Sequence, residues 1–148
     1  MVGEEFTRMR LVVTLSLPRE PSSITRAREV LAVVLSLTAV AEECAGSLAV
    51  VITEACANAV IHGDPGGTVE LTITIEEGTC TLAISNGGDL TDAKFTTDPP
   101  DPAQLRGRGL LLIAALSDTA EFVPAPPGQV SVRITRRLTY EAQTALSR

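Results

Sequence analysis

Aromatic side chains are scarce in this chain. Tryptophan is absent, and 148 residues hold only Phe6, Phe95, Phe122 and Tyr140 in that class. The core must therefore be aliphatic, drawn from the Val, Leu, Ile and Ala that dominate a chain 45% apolar. Three cysteines, Cys44, Cys56 and Cys80, form no Cys-x-x-Cys pair, which argues against a disulfide framework and a zinc site and for buried, reduced thiols. Basic residues are outnumbered 12 to 18, giving a net charge of −6. A nucleic-acid backbone is thus not an expected partner, whereas a protein with a basic patch is. No apolar run is expected to span a membrane, and the opening Met-Val-Gly-Glu-Glu has none of the basic character of a signal peptide. The expected location is the cytoplasm.

The length fits one domain. Residues 10–17 are rich in Leu and Val and read as a strand closed by Pro18 and Pro21, with Ser22 or Ser23 as a helix cap. Ile24, Ala27, Val30, Leu31, Val34 and Leu35 then recur at helical spacing. A second helix is expected from Glu43 or Ser47 to about Gly63, followed by an Asp64-Pro65-Gly66-Gly67 turn. The period next becomes two: Val69, Leu71, Ile73 and Ile75, a Glu77-Gly78 turn, then Cys80, Leu82 and Ile84, which is a β-hairpin. Asn86-Gly87-Gly88 ends it. The proline-rich stretch 96–102 reads as a loop, Leu110 to Leu116 as an apolar helix, and 120–123 and 130–138 as strands. This order, β-α-α-β-β-loop-α-β-β, predicts an α+β fold with helices on one face of a mostly antiparallel sheet. Residues 1–9 form an extension, 10–138 the domain and 139–148 a polar tail.

Within the second helix, Glu54 and Asn58 lie four residues apart and so share one face, with His62 extending the stripe. Leu48, Val51, Ile52, Ala55 and Ala59 form the opposite, apolar stripe, suited to packing on a sheet. A carboxylate beside a neutral oxygen suits proton abstraction next to a hard cation such as Mg²⁺; the same pair alone also fits a solvated helix face. Gly107-Arg108-Gly109 opens the next helix. Glycines there let exposed backbone N–H groups approach an anion, and Arg106 and Arg108 could meet phosphate oxygens.

Glu-x-x-x-Asn on a helix, Asn-Gly-Gly after a strand and Gly-x-Gly opening a helix, in this order, resemble the Bergerat-fold ATPases, the fold of gyrase, heat-shock chaperones and histidine kinases. Within that group the chain is most similar to the small bacterial anti-sigma factor serine/threonine kinases. Glu54-x-x-x-Asn58-Ala59, continuing to Ile61-His62-Gly63, resembles their first box; Asn86-Gly87-Gly88 falls at their Asp-x-Gly; Phe95-Thr96-Thr97 and Pro99 resemble the start of their ATP lid; Gly107-Arg108-Gly109-Leu110 resembles their glycine box. The likeness covers about residues 10–138.

The resemblance implies a two-layer α/β sandwich whose mixed, mostly antiparallel sheet is covered on one face by three helices. It implies ATP and Mg²⁺ as cofactors, Glu54 as general base and Asn58 as the Mg²⁺ ligand. Asn86 and Gly88 would line the adenine pocket, Gly107 to Leu110 would cradle phosphates with Arg106 and Arg108 beside them, and Thr97 would belong to a lid over about 89–106. His62 falls near the site in the family, while a packed structural histidine is an equal reading of that residue. Being the sole histidine and lying in the first box, it leaves no separate phosphoacceptor, which disfavours a histidine kinase. The implied function is an anti-sigma factor that phosphorylates a small antagonist protein in a partner-switching pathway, as a homodimer that also binds a sigma factor. One departure matters: the family's adenine-reading Asp is Asn86 here, and a lost charge-assisted contact costs about 1.5–3 kcal/mol. The alternative is therefore a catalytically weak or inactive interaction protein of the same fold.

Overall fold

The computed structural model describes residues 9–88 and 108–141, with the backbone alone at Arg108. The expected lid over 89–106, and with it Thr97, Arg106 and Gly107, lies outside the described residues, as do most of the N-terminal extension and the tail. In chain order the elements are β1 (Arg10–Pro18), α1 (Pro21–Ser36), α2 (Glu42–His62), β2 (Thr68–Glu76), β3 (Thr79–Gly87), α3 (Arg108–Leu116), β4 (Thr119–Val123) and β5 (Gln129–Arg137). The strands form one sheet in the order β1-β2-β3-β5-β4, and all four described pairings are antiparallel.

The period-two pattern lands on one face. Val69, Leu71, Ile73 and Ile75 of β2, Cys80, Leu82 and Ile84 of β3 and Ile134 of β5 are all buried, with Leu31, Leu48, Ile52 and Ile113 from the three helices packed into the same cluster. None of the fully buried described side chains is aromatic, as the composition requires. The opposite sheet face is polar and carries cross-strand hydroxyl pairs, Thr14 with Thr72 at 3.4 Å and Ser85 with Ser131 at 2.6 Å. Glu77 (φ 49°) and Gly78 (φ 71°) make the β2–β3 turn, a two-residue connection with positive φ at both positions that matches the twist of the strands.

Two expectations change. Helix α1 is not capped by Ser22 or Ser23. Glu20 is the extended residue before it, Pro21 occupies the first turn, and the Ser23 hydroxyl donates backwards to the Pro18 carbonyl at 2.6 Å. Helix α2 starts at Glu42, beside the expected Glu43, with no side-chain cap; Glu42 and Glu43 complement the positive end of its dipole. Lastly, α2 is long and apolar enough to cross a membrane by length and composition, with a mean hydropathy of 1.7. Its Leu48, Val51, Ile52, Ala55, Cys56 and Ala59 are buried in the core, which accounts for that composition.

All three cysteines are free and buried. Burial pushes the thiols of Cys56 and Cys80 up to about 12 from an ordinary 9.0. This contribution to stability is complete below about pH 9, where the unfolded thiols are also neutral, and is lost as pH rises towards 12. Urea titrations across that range should show falling stability, and Cys56→Ala with Cys80→Ala should flatten the fall. Ile73 has no exposed surface. Its replacement by Ala should cost about 2–5 kcal/mol in the same titration at neutral pH.

Candidate functional site

Burial of the Leu48-to-Ala59 stripe turns Glu54 and Asn58 away from the sheet, leaving both half-buried on the other side of α2. Helix α3 brings its first turn onto that side. A Cβ on Gly109 would lie 2.9 Å from Glu54 Oε2, 3.6 Å from Asn58 Oδ1 and 3.7 Å from Asn58 Nδ2. The glycine-rich helix start and the carboxylate–carboxamide pair, 51 to 55 residues apart in sequence, thus meet in space. Leu110, the next residue, packs against the core and anchors this turn.

A third segment closes on the last turn of α2. Gly88 is buried with φ 148°, a conformation glycine tolerates best, and a Cβ there would sit 3.1 Å from the His62 carbonyl. Its N–H donates to Gly128 O at 2.9 Å, and the N–H of Asp64 donates to Gly87 O at 3.1 Å. Asn86, half-buried, spends its Nδ2 on Gly87 O at 2.8 Å. That bond orients the amide and leaves Oδ1 without a hydrogen bond from the described residues. His62 meets this loop through its backbone carbonyl; its ring is exposed rather than packed.

The structure therefore brings together Glu54, Asn58 and Gly109 on one side of α2, and His62, Asn86 and Gly88 near its C-terminal end. Sequence reasoning missed Arg19, Asp64 and Gly128, which hold the second group in place. Arg19 donates through Nη2 to Ile61 O at 3.2 Å. Asp64 lays its carboxylate on Gly87, where a Cβ would be 2.7 Å from Oδ2. Such contacts involve backbone atoms from distant segments and leave no spacing to read. Gly88 also edges a cleft of about 300 Å³ against the Pro124–Gly128 turn.

Chemically, Glu54 offers a negative oxygen and Asn58 a neutral one beside the positive end of α3. No group of three His, Cys, Asp or Glu able to hold a metal occurs among the described residues. A divalent cation here would need further ligands from water or a phosphorylated substrate, which is how Mg²⁺ is commonly bound.

The profile of the histidine kinase-like ATPase domain matches residues 17–136. No curated protein matches the chain. Among solved structures, the RsbU and RsbW domains of a Mycobacterium tuberculosis protein align with a TM-score of 0.69 at 18% identity, over 89% of this chain and 34% of that one. The chain thus spans about a third of that protein's length. The SiaB–SiaC complex of Pseudomonas aeruginosa supplies a second match, with a TM-score of 0.66, 18% identity, and coverage of 90% and 94% of the two chains. At such identity the likeness is one of fold.

The tight contact at Gly109 gives a test. Gly109→Ala should leave helix α3 intact or favour it by up to about 1 kcal/mol, yet displace the Glu54 carboxylate. A crystal structure of the variant showing Glu54 unmoved would contradict that geometry.

Proposed function

The chain belongs to the histidine kinase-like ATPase domain family, and from that premise we propose that it binds ATP with Mg²⁺ and transfers the γ-phosphoryl group to a serine or threonine of a small antagonist protein. The observation that carries this reading is the seating of Gly109 against Glu54 and Asn58. Phosphoryl transfer asks a protein mainly for positioning and charge stabilisation, and the two helices supply both. Glu54 takes the proton from the acceptor hydroxyl. Asn58 Oδ1, a hard neutral oxygen, fits Mg²⁺, which when bound neutralises charge on the phosphate oxygens. The absence of a side chain at Gly109 lets phosphates approach the first backbone N–H groups of α3. By the family resemblance, the phosphate-binding box extends to Gly107, with Arg106 and Arg108 as its charge-assisted donors and Thr97 in the lid over 89–106, all on residues or side chains outside the described ones.

The base end is Asn86 with Gly88. The bond from Asn86 Nδ2 to Gly87 O supports Oδ1 as the group facing the adenine amino group. His62 lies beside this wall. The partner-switching role, with a sigma factor held by the unoccupied kinase and released by the antagonist, follows from the family resemblance. It is supported by the fold likeness to an RsbW domain and to a protein crystallised in a complex with a second chain. β1 stands at an edge of the sheet with Val12 exposed, a suitable place for a homodimer to join. The cytoplasm is the compartment this role requires.

The rival reading, an interaction protein with little ATP use, is favoured by one observation: Asn86 lacks the charge of a carboxylate. Calorimetric titration with Mg·ATP, Mg·ADP and Mg·GTP separates the two. Asn86→Asp should tighten Mg·ATP binding about tenfold, whereas no detectable affinity in either protein leaves the rival standing. Glu54→Ala should abolish phosphotransfer while nucleotide affinity stays within a few fold, because a base acts in the transition state. Equal loss of binding and transfer would make Glu54 structural.

A further inference from the structure

Helix α2 carries one half of the site, Glu54 and Asn58, and its C-terminal end touches the other half, the Asn86–Gly88 loop. Whatever fixes that end sets the distance between the halves. The last turn of a helix leaves carbonyls without intrahelical partners. Here the Gly63 N–H closes on Ala59 O at 3.0 Å, and the Ile61 carbonyl receives Arg19 Nη2 at 3.2 Å. Arg19 belongs to the short connection between β1 and α1, and its own N–H donates to Gly67 O at 3.1 Å. One residue thus grips both the end of α2 and the loop that follows it.

The fit is close. A Cβ on Gly63 would meet Ala59 O at 2.5 Å and, on its other side, Arg19 Cδ at 3.2 Å and Nε at 3.4 Å, so the arginine stem lies in close contact with the glycine that ends the helix. Arg19 Nε is itself buried without a partner. The guanidinium places positive charge at the negative end of the 21-residue helix. Immediately beyond the gripped carbonyl, His62 O packs on Gly88, and the Asp64 N–H bonds Gly87 O. Arg19, at the Ile61 carbonyl and Gly63, flanks both contacts.

We propose that Arg19 is a positioning residue for base recognition: it holds the end of α2 against the Asn86–Gly88 wall and touches no nucleotide itself. The proposal rests on the nucleotide-site reading, and its structural half can be tested apart from that reading. Hydrogen exchange on the nucleotide-free Arg19→Gln protein reads the wall directly. The amides of Asp64 and Gly88 should exchange about tenfold faster, while that of Leu82 in the central strand β3 keeps its rate.

Mg·ATP should bind about tenfold more weakly, with kcat at saturating ATP within about twofold of the parent. Arg19→Lys, which keeps a charge and a donor, should recover part of both effects. Unchanged exchange at Asp64 and Gly88 overturns the proposal. So does equal acceleration at Leu82, which would make Arg19 a general stabiliser. If the parent protein binds no Mg·ATP, the nucleotide reading fails, and the exchange measurement still decides whether Arg19 holds the wall.

Discussion

Burial of one stripe of α2 on the sheet fixes the rotation of a 21-residue helix, and nearly every feature of the site follows from that rotation. Leu48, Val51, Ile52, Ala55 and Ala59 are each less than a tenth exposed. Fully burying a Val, Leu or Ile side chain is worth roughly 1.5–3 kcal/mol. A turn of one residue, about 100°, would put several of these in water and drive Glu54 or Asn58 into an aliphatic core, where an unpaired carboxylate is costly. The polar pair therefore points where it does because the apolar stripe permits no other placement. Small residues, Ala55 and Ala59, let the helix lie close to the strands and the loop at its end.

Much of this was legible because it depends on local periods. The β2–β3 hairpin could be read from strict alternation around Glu77-Gly78, and the Glu54/Asn58 pair from helical spacing within an apolar helix. The fold class followed from the order of these elements. The cap of α1 was not legible. Ser22 and Ser23 are good capping residues, but Pro21 is suited to the first helical turn, and the Ser23 hydroxyl reaches the Pro18 carbonyl instead. The apolar character of α2 also hid in plain view. Its alternation of Ala, Val and Ile with Glu54 and Asn58 reads as an amphipathic core helix, yet the same helix is long and apolar enough to cross a membrane.

The candidate site was legible as residue types but not as an assembly. Nothing in the spacing says that Gly109 meets Glu54, because the intervening strands set that contact. Arg19, Asp64 and Gly128 were invisible for a different reason. Each acts on backbone: Arg19 on the Ile61 carbonyl, Asp64 through its N–H on Gly87, Gly128 through its carbonyl on the Gly88 N–H. A backbone partner places no demand on side-chain identity, so no motif betrays it.

These contacts also account for where the glycines stand. At Gly87, Gly88 and Gly109 an added Cβ would come within 2.7, 3.1 and 2.9 Å of Asp64, His62 and Glu54 respectively, the first just past the end of α2 and the others within it. Two segments far apart in sequence, the end of β3 and the start of α3, approach the same helix so closely that an added Cβ would have to displace the Asp64 or Glu54 carboxylate or press on the His62 carbonyl. A helix met this closely has little freedom to shift without moving both. Glu54 and Asn58 are then held relative to the Asn86–Gly88 wall by the length of one rigid helix, about 1.5 Å per residue. The phosphoryl transfer we propose for this site asks for such a fixed separation, since that chemistry rests on positioning and charge stabilisation. The pair at the middle of α2 and the wall at its end are two ends of one ruler, and the core that buries the helix keeps the ruler from rolling.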